Sequence, residues 1–263
     1  MPVIEDEAVC LRQWDWSETS QTVSVFTRSA GLLRCVAKGS KRAGAAFSGG
    51  VELLSRAHVR VHTKAARDLS ILAEWDLAEV FPALRRTLAD HYAGLYMADC
   101  VQHFAADHDP HAGLYDVLVA GLRGLEGGQT RDMTLLRFQW RALVEAGFRP
   151  ELGGSANAEA LGGAAVLVFD PQAGALSGAA EAGRKSGAGH DWRVRRSTVD
   201  LLLAVDADRA VVPQAAGVQR AARFLAAYVR WVLGSQPRSM ALVFPDLGVP
   251  DRAPAPRQER GGR

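Results

Sequence analysis

Through the first 78 residues, apolar and polar positions alternate with a period of two, as they do in half-buried strands. Ala8, Cys10 and Arg12 lie on one side of a first strand, with Val9, Leu11 and Gln13 on the other. After the polar turn Trp14–Ser20, Gln21–Thr27 alternates again with β-branched residues, and Gly31 restarts the chain for a run over Leu32–Ala37. Leu53–His62 predicts a fourth strand, with Ala57, Val59 and Val61 opposing His58, Arg60 and His62, and Leu69–Asp76 a fifth. Five short strands without a long helix fit a small closed barrel of the OB type. A simple meander or an SH3-like barrel would give the same count.

Near Asp76 the period lengthens. Leu84, Leu88, Tyr92, Leu95, Tyr96 and Val101 recur at helical spacing from Phe81 to Phe104, and His108-Asp109-Pro110 breaks the run. Leu114, Leu118, Leu122 and Leu125 form a second stripe, closed by Gly127-Gly128. Leu135, Leu136, Phe138, Leu143 and Val144 form a third, ended by Gly147. Residues 150–190 are rich in Gly and Ala, with one apolar island, Ala164–Phe169, that predicts a strand ending at Asp170-Pro171 and flanks that look loosely ordered. Ser197–Leu203 and Gln214–Leu233 read as helices and Met240–Phe244 as a short apolar closure. The expected fold is α+β: an OB-type barrel over residues 1–78, a mainly helical domain over 79–247 with a small β insertion, and a disordered tail over 248–263.

Charge changes the picture more than composition does. The formal net charge is only +2, yet Arg28–Arg67 carries Arg28, Arg34, Lys38, Lys41, Arg42, Arg56, Arg60, Lys64 and Arg67 against the single acid Glu52. Asp68–Glu151 is acidic, with thirteen carboxylates against seven arginines. A small β-unit with such an imbalance is suited to polyanions; a solvated basic hairpin is the plainer alternative. A further basic cluster comprises Arg184, Lys185, Arg193, Arg195 and Arg196. Three widely spaced cysteines, Cys10, Cys35 and Cys100, argue against a disulfide framework and for a reducing cytoplasm. Met1–Glu7 has no apolar stretch of the secretory kind, and no run approaches the ~20 apolar residues that span a bilayer.

Several residue groups suggest specific chemistries, and each has a plainer reading. Gly39-Ser-Lys-Arg-Ala-Gly44 superficially suggests a triphosphate loop, but such loops need a lysine and a hydroxyl after the second glycine, and here Ala45-Ala46 follow. Its cations and amides still suit a nucleic-acid phosphate, which asks for charge rather than exact geometry. Cys100, His103, His108 and His111, with Asp107 and Asp109, are the one group of ligand-like types; a polar helix end explains them better than a metal site, which needs converging, deprotonated ligands. No Ser–His–Asp arrangement is legible. Trp14, Trp16, Phe26, Phe47 and Trp75 are candidate stacking platforms for bases, with Trp16 and Phe47 expected to be exposed and the others in the core.

Leu11-Arg12, Glu18-Thr-Ser20, Val23-Ser-Val-Phe-Thr27 and above all Gly31-Leu-Leu-Arg-Cys-Val-Ala-Lys-Gly39 with its basic loop resemble the N-terminal barrel of the bacterial recombination mediator family RecO. Leu69–Glu74, the helix Arg137–Phe148 and Gln219–Ser239 extend the resemblance over most of the chain. It implies a non-enzymatic, cytoplasmic, nucleoid-associated protein that binds single- and double-stranded DNA, anneals complementary strands and, with RecR, loads RecA on strands coated by the single-strand-binding protein SSB. Arg28, Arg34, Lys38, Lys41, Arg42, Lys64 and Arg67 would contact DNA, and Arg137 and Arg141 the acidic SSB tail. No cofactor is expected. Many members of that family hold zinc with two Cys-x-x-Cys pairs; Leu152–Gly183 contains no cysteine, which excludes a thiolate site there. Two alternatives stand beside this reading: a metal-dependent nuclease using His103–His111, and a generic RNA-binding barrel.

Overall fold

The fold was analysed in a computed structural model that describes residues 2–44, 46–47, 49–63, 69–153, 164–177, 191–209 and 213–247. It divides into two compact units, Met1–Thr134 and Leu135–Arg263.

The first unit is built on a closed five-stranded barrel of order β1-β2-β3-β5-β4, from β1 (Val3–Asp15), β2 (Gln21–Thr27), β3 (Gly31–Ala37), β4 (Arg56–His62) and β5 (Ser70–Glu79). The strand order is the OB-type one, and it decides among the arrangements that five alternating strands allow. Closure depends on β1. Its first half pairs with β4 (Val3↔His62 to Val9↔Arg56) and its second half with β2 (Ala8↔Thr27 to Asp15↔Gln21). A register shift between Cys10 and Arg12 bends the strand from one neighbour to the other, as a bulge does. The fourth strand starts at Arg56 rather than Leu53, because Leu54 takes a left-handed conformation (φ 57°) and turns the chain.

Inward positions fill the barrel: Ala8, Cys10, Val23, Val25, Leu33, Cys35, Ala57, Val59, Val61, Leu72 and Trp75 are buried together, and Phe47 and Val51 of the β3–β4 connector join them. Burial pushes the Cys10 and Cys35 thiols up to about 12, leaving them protonated and unreactive at neutral pH.

The barrel's parallel seam is short. β3 meets β5 only at Cys35↔Ser70 and Val36↔Ile71. The connector after the second helix completes the edge: Leu32 N donates to Ala106 O and His108 N to Leu32 O. Gly31 makes this approach possible. Its φ is +74°, and a Cβ there would lie 2.2 Å from the Asp109 carbonyl oxygen.

Helices α1 (Ala83–Arg86), α2 (Leu88–Phe104) and α3 (Ala112–Gly124) complete the first unit. The single helical run expected from Phe81 to Phe104 is broken at Thr87, which is extended and accepts a hydrogen bond from Asp90 N as the N-cap of α2. Phe26, on the outer face of β2, packs against Tyr115 of α3 with ring centroids 6.1 Å apart. Helix α4 (Arg131–Glu145) ends at Gly147 (φ 77°), where Phe148 N closes onto Leu143 O.

The second unit holds β6 (Val166–Asp170), β7 (Ala175–Ser177), β8 (Trp192–Arg195), α5 (Arg196–Asp206), α6 (Ala215–Leu233) and α7 (Met240–Val243). The island predicted as one strand is the centre of a three-stranded sheet, β7-β6-β8. β7 and β8 are too short to show a period. An aromatic cluster holds this sheet to α6: Phe169 lies 6.0 Å from Trp192, 5.1 Å from Phe224 and 5.3 Å from Tyr228, with edge contacts to the latter two, and Trp192 meets Trp231 edge-on. Arg184 and Lys185 of the second basic cluster, most of the stretch 153–189 and the tail 248–263 lie outside the described residues. Among the described residues, no helix is long and apolar enough to cross a membrane.

Candidate functional site

The structure separates the barrel's cations into two groups. The first lies along the wall, each member matched to a carboxylate from elsewhere in the first unit. Arg28 donates from Nε and from one terminal nitrogen to the two carboxylate oxygens of Asp116 at 3.0 and 2.9 Å, and this fork holds the Asp116 carboxyl below the usual range. Arg34 lies 3.4 Å from Asp107. Arg56 sits between Glu7 (3.1 Å) and Glu79 (2.8 Å), and Arg60 between Glu5 (2.8 Å) and Glu74 (2.5 Å). The charge excess counted along the sequence is therefore much smaller in space: five of its nine cations have acidic partners, four on the wall and Lys41 at the loop end.

The second group stands at the loop end. Residues Trp16–Ser20 form a tight β1–β2 turn, with Trp16 N and Ser17 N both donating to Ser20 O at 2.9 and 3.2 Å. The turn after β3 is stapled to it: Gly39 N donates to Ser20 Oγ at 3.0 Å and Lys41 N to Thr19 O at 3.1 Å. Buried Gln21 anchors the second turn and the β3–β4 connector from below, accepting from Ser40 Oγ and Val51 N at 2.9 Å each and donating to Val51 O at 3.2 Å. Gly39 itself is left-handed (φ 66°), which lets the chain reverse. Lys41 is drawn off to Asp15 at 2.5 Å.

Lys38 and Arg42 remain, exposed and without an acidic partner among the described residues. With Trp16, Ser17, Ser20, Val36 and Gly39 they line an open cleft of about 380 Å³. Two cations, hydroxyls and an indole face are groups that receive a phosphate and a flat ring. Lys64 and Arg67, also expected at this site, lie outside the described residues.

The aromatic expectations divide. Trp16 is 65% exposed, but Phe47 is buried at 4%, because the β3–β4 connector folds it into the barrel core. Trp14, expected in the core, is 52% exposed. Phe26 and Trp75 are buried. The cleft is not legible as a unit in the sequence, since its walls come from two loops about twenty residues apart; Trp16 among polar residues is its local signal.

Elsewhere, His103 Nδ1 lies 2.7 Å from Asp99 O and His111 Nδ1 accepts from Leu114 N as the cap of α3. Burial raises the Cys100 thiol far above its ordinary value. Among the described residues, no group of three or more His, Cys, Asp or Glu is placed to hold a metal ion. On α4, Arg141 lies 3.6 Å from Asp208, and the Nε of Arg137 is buried with no hydrogen-bond partner among the described residues.

Taken together, the strand order and the basic cleft define an OB-type barrel with a charged loop end, carried on a mixed α+β chain. Residues 1–81 match the family profile described as "Recombination protein O N terminal", and residues 85–241 that described as "Recombination protein O C terminal". The chain is 32% identical over 143 residues to a protein of Rhodopirellula baltica named DNA repair protein RecO, covering 54% of this chain and 53% of that one. A protein of the same name from Anaeromyxobacter dehalogenans is 31% identical over 171 residues (65% and 67% of the two chains), and one from Verminephrobacter eiseniae 28% over 239 residues (86% and 90%). With the first of these, the match spans about half the length of either protein. The chain belongs to the RecO family of recombination and DNA repair proteins.

Proposed function

We propose that this chain is a non-enzymatic recombination mediator that works in the cytoplasm at the nucleoid. It binds single- and double-stranded DNA through the barrel, anneals complementary strands and, with RecR, promotes loading of RecA on SSB-coated DNA. The observation that carries the DNA assignment is the cleft in which Lys38 and Arg42 stand without a carboxylate partner among the described residues. A cation already paired gives up that pairing when it binds a phosphate; an unpaired one releases only solvent and counterions. Lys38 and Arg42 therefore lead, Lys41 assists, and Arg28 and Arg34 join by exchanging their acids for phosphates. Lys64 and Arg67 belong to the same proposed set. Grip without base readout is the mode that such contacts support.

Four to six phosphate contacts on a single strand predict a log–log salt slope of about −3 to −4. An affinity series in salt tests this, and a flat response would remove DNA as the ligand. Annealing of SSB-coated strands, compared between the wild type and a Lys38→Ala/Lys41→Ala/Arg42→Ala variant, tests the mediator role and separates it from a generic RNA-binding barrel. Arg137 and Arg141, four residues apart and so on one face of α4, are assigned to the carboxylates of the SSB tail. The 3.6 Å pair with Asp208 is exposed and exchanges easily. Arg141→Ala is expected to weaken binding of a tail peptide; unchanged affinity would withdraw that assignment.

A further inference from the structure

We propose that Trp16, Lys38 and Arg42 form a subsite for one unpaired nucleotide, with the Trp16 indole stacked on the base and the two cations on its phosphate. This rests on the reading of the barrel as a DNA-binding surface, and adds that one subsite on it distinguishes single strands from duplexes.

An indole 65% exposed leaves a large apolar face in water, at the mouth of a cleft otherwise lined by small and polar groups. Its backbone is not loose. Trp16 N is bonded to Ser20 O, and Ser20 Oγ in turn holds Gly39 N, so the turn carrying the indole and the turn carrying Lys38 and Arg42 are tied by direct hydrogen bonds. The backbone positions that carry the ring and the cations are therefore set relative to one another, and little backbone order has to be gained on binding. The cleft, at about 380 Å³, lies at the lower end of the range for small-molecule sites, roughly 300–1,000 Å³.

Nucleotide chemistry matches these groups. A base in a duplex has both faces covered by its neighbours, so only an unpaired base can place a face on Trp16, while a phosphate is available to Lys38 and Arg42 in either form. Loss of the indole should therefore affect single strands, and loss of the cations should affect both forms. Trp14 provides an internal control. It is also exposed, but it lies on β1 opposite Thr22 and does not line the cleft.

The test uses the full chain and three labelled probes of equal length: an oligothymidylate, an abasic deoxyribose-phosphate chain and a blunt duplex. The wild type is expected to bind oligothymidylate more tightly than the abasic chain. Trp16→Ala should weaken oligothymidylate binding by roughly 5- to 150-fold, the worth of one stacked base, and leave the other two probes and the salt slope unchanged. Trp16→Phe should retain most of the preference, and Trp14→Ala all of it. Wild-type affinity of Trp16→Ala for oligothymidylate, or an equal loss on all three probes, would overturn the subsite while leaving the barrel a DNA-binding surface. Failure of the wild type to bind any probe would overturn both.

Discussion

The wall of the barrel and the cleft at its loop end carry the same kind of residue in opposite states. On the wall, Arg28, Arg34, Arg56 and Arg60 each face one or two carboxylates, and several of these come from distant parts of the chain, such as Asp116 on α3 and Glu79 at the end of β5. At the loop end, Lys38 and Arg42 face a cleft and no acid among the described residues. The wall pairs fasten strands and helices to one another; the loop cations are held in place by backbone and Gln21 contacts that do not consume their charge. A count of basic residues thus overstates a binding surface whenever acids fold back upon it.

The harshest way to break the contrast is to unseat the wall. Gly31→Ala places a Cβ against the Asp109 backbone at a left-handed position, so a loss of roughly 3 kcal/mol is expected in urea unfolding. Changing Lys38 and Arg42 together to Ala leaves unfolding unaltered. It should reduce the single-strand salt slope by about 1.4 and the affinity at 0.1 M salt by about 25-fold, whereas Arg60→Ala should change the slope little.

Glu79→Gln sharpens the wall's structural role. Hydrogen bonds from Arg123, and then from Arg56, hold the Glu79 carboxyl below its ordinary value. A carboxyl with a lowered pKa in the folded state stabilises above its unfolded pKa of about 4.3, and that stabilisation is lost as the pH falls through the folded value. The variant should lose about 1 kcal/mol at pH 7, and its gap to the wild type should close in unfolding measurements taken stepwise into acid. The smallest effect is a gain. Asp116→Asn frees Arg28 and should raise single-strand affinity about two- to five-fold at low salt, with a steeper slope.

Much of this protein is legible in local pattern. Alternation through Ala8–Asp76 marks the five strands, because one face of each must enter a core; the Leu114–Leu125 stripe and Gly147 mark helices by period and by a left-handed stop. The run Gly31–Gly39 with its basic loop identifies the family. What local pattern does not carry is partnership. That Phe47 turns inward while Trp14 stays in water, that Thr87 divides a continuous helical run, and that two three- or four-residue strands flank Val166–Asp170 all depend on contacts with residues remote in sequence. So does the fate of the charges. Sequence alone determined that cations crowd one segment and that no cysteine-based zinc site exists between Leu152 and Gly183. Only the tertiary structure decided which of the described cations are matched and which remain open, because an ion pair forms through a few ångströms of space and is blind to the separation of eighty-eight positions in the chain between Arg28 and Asp116.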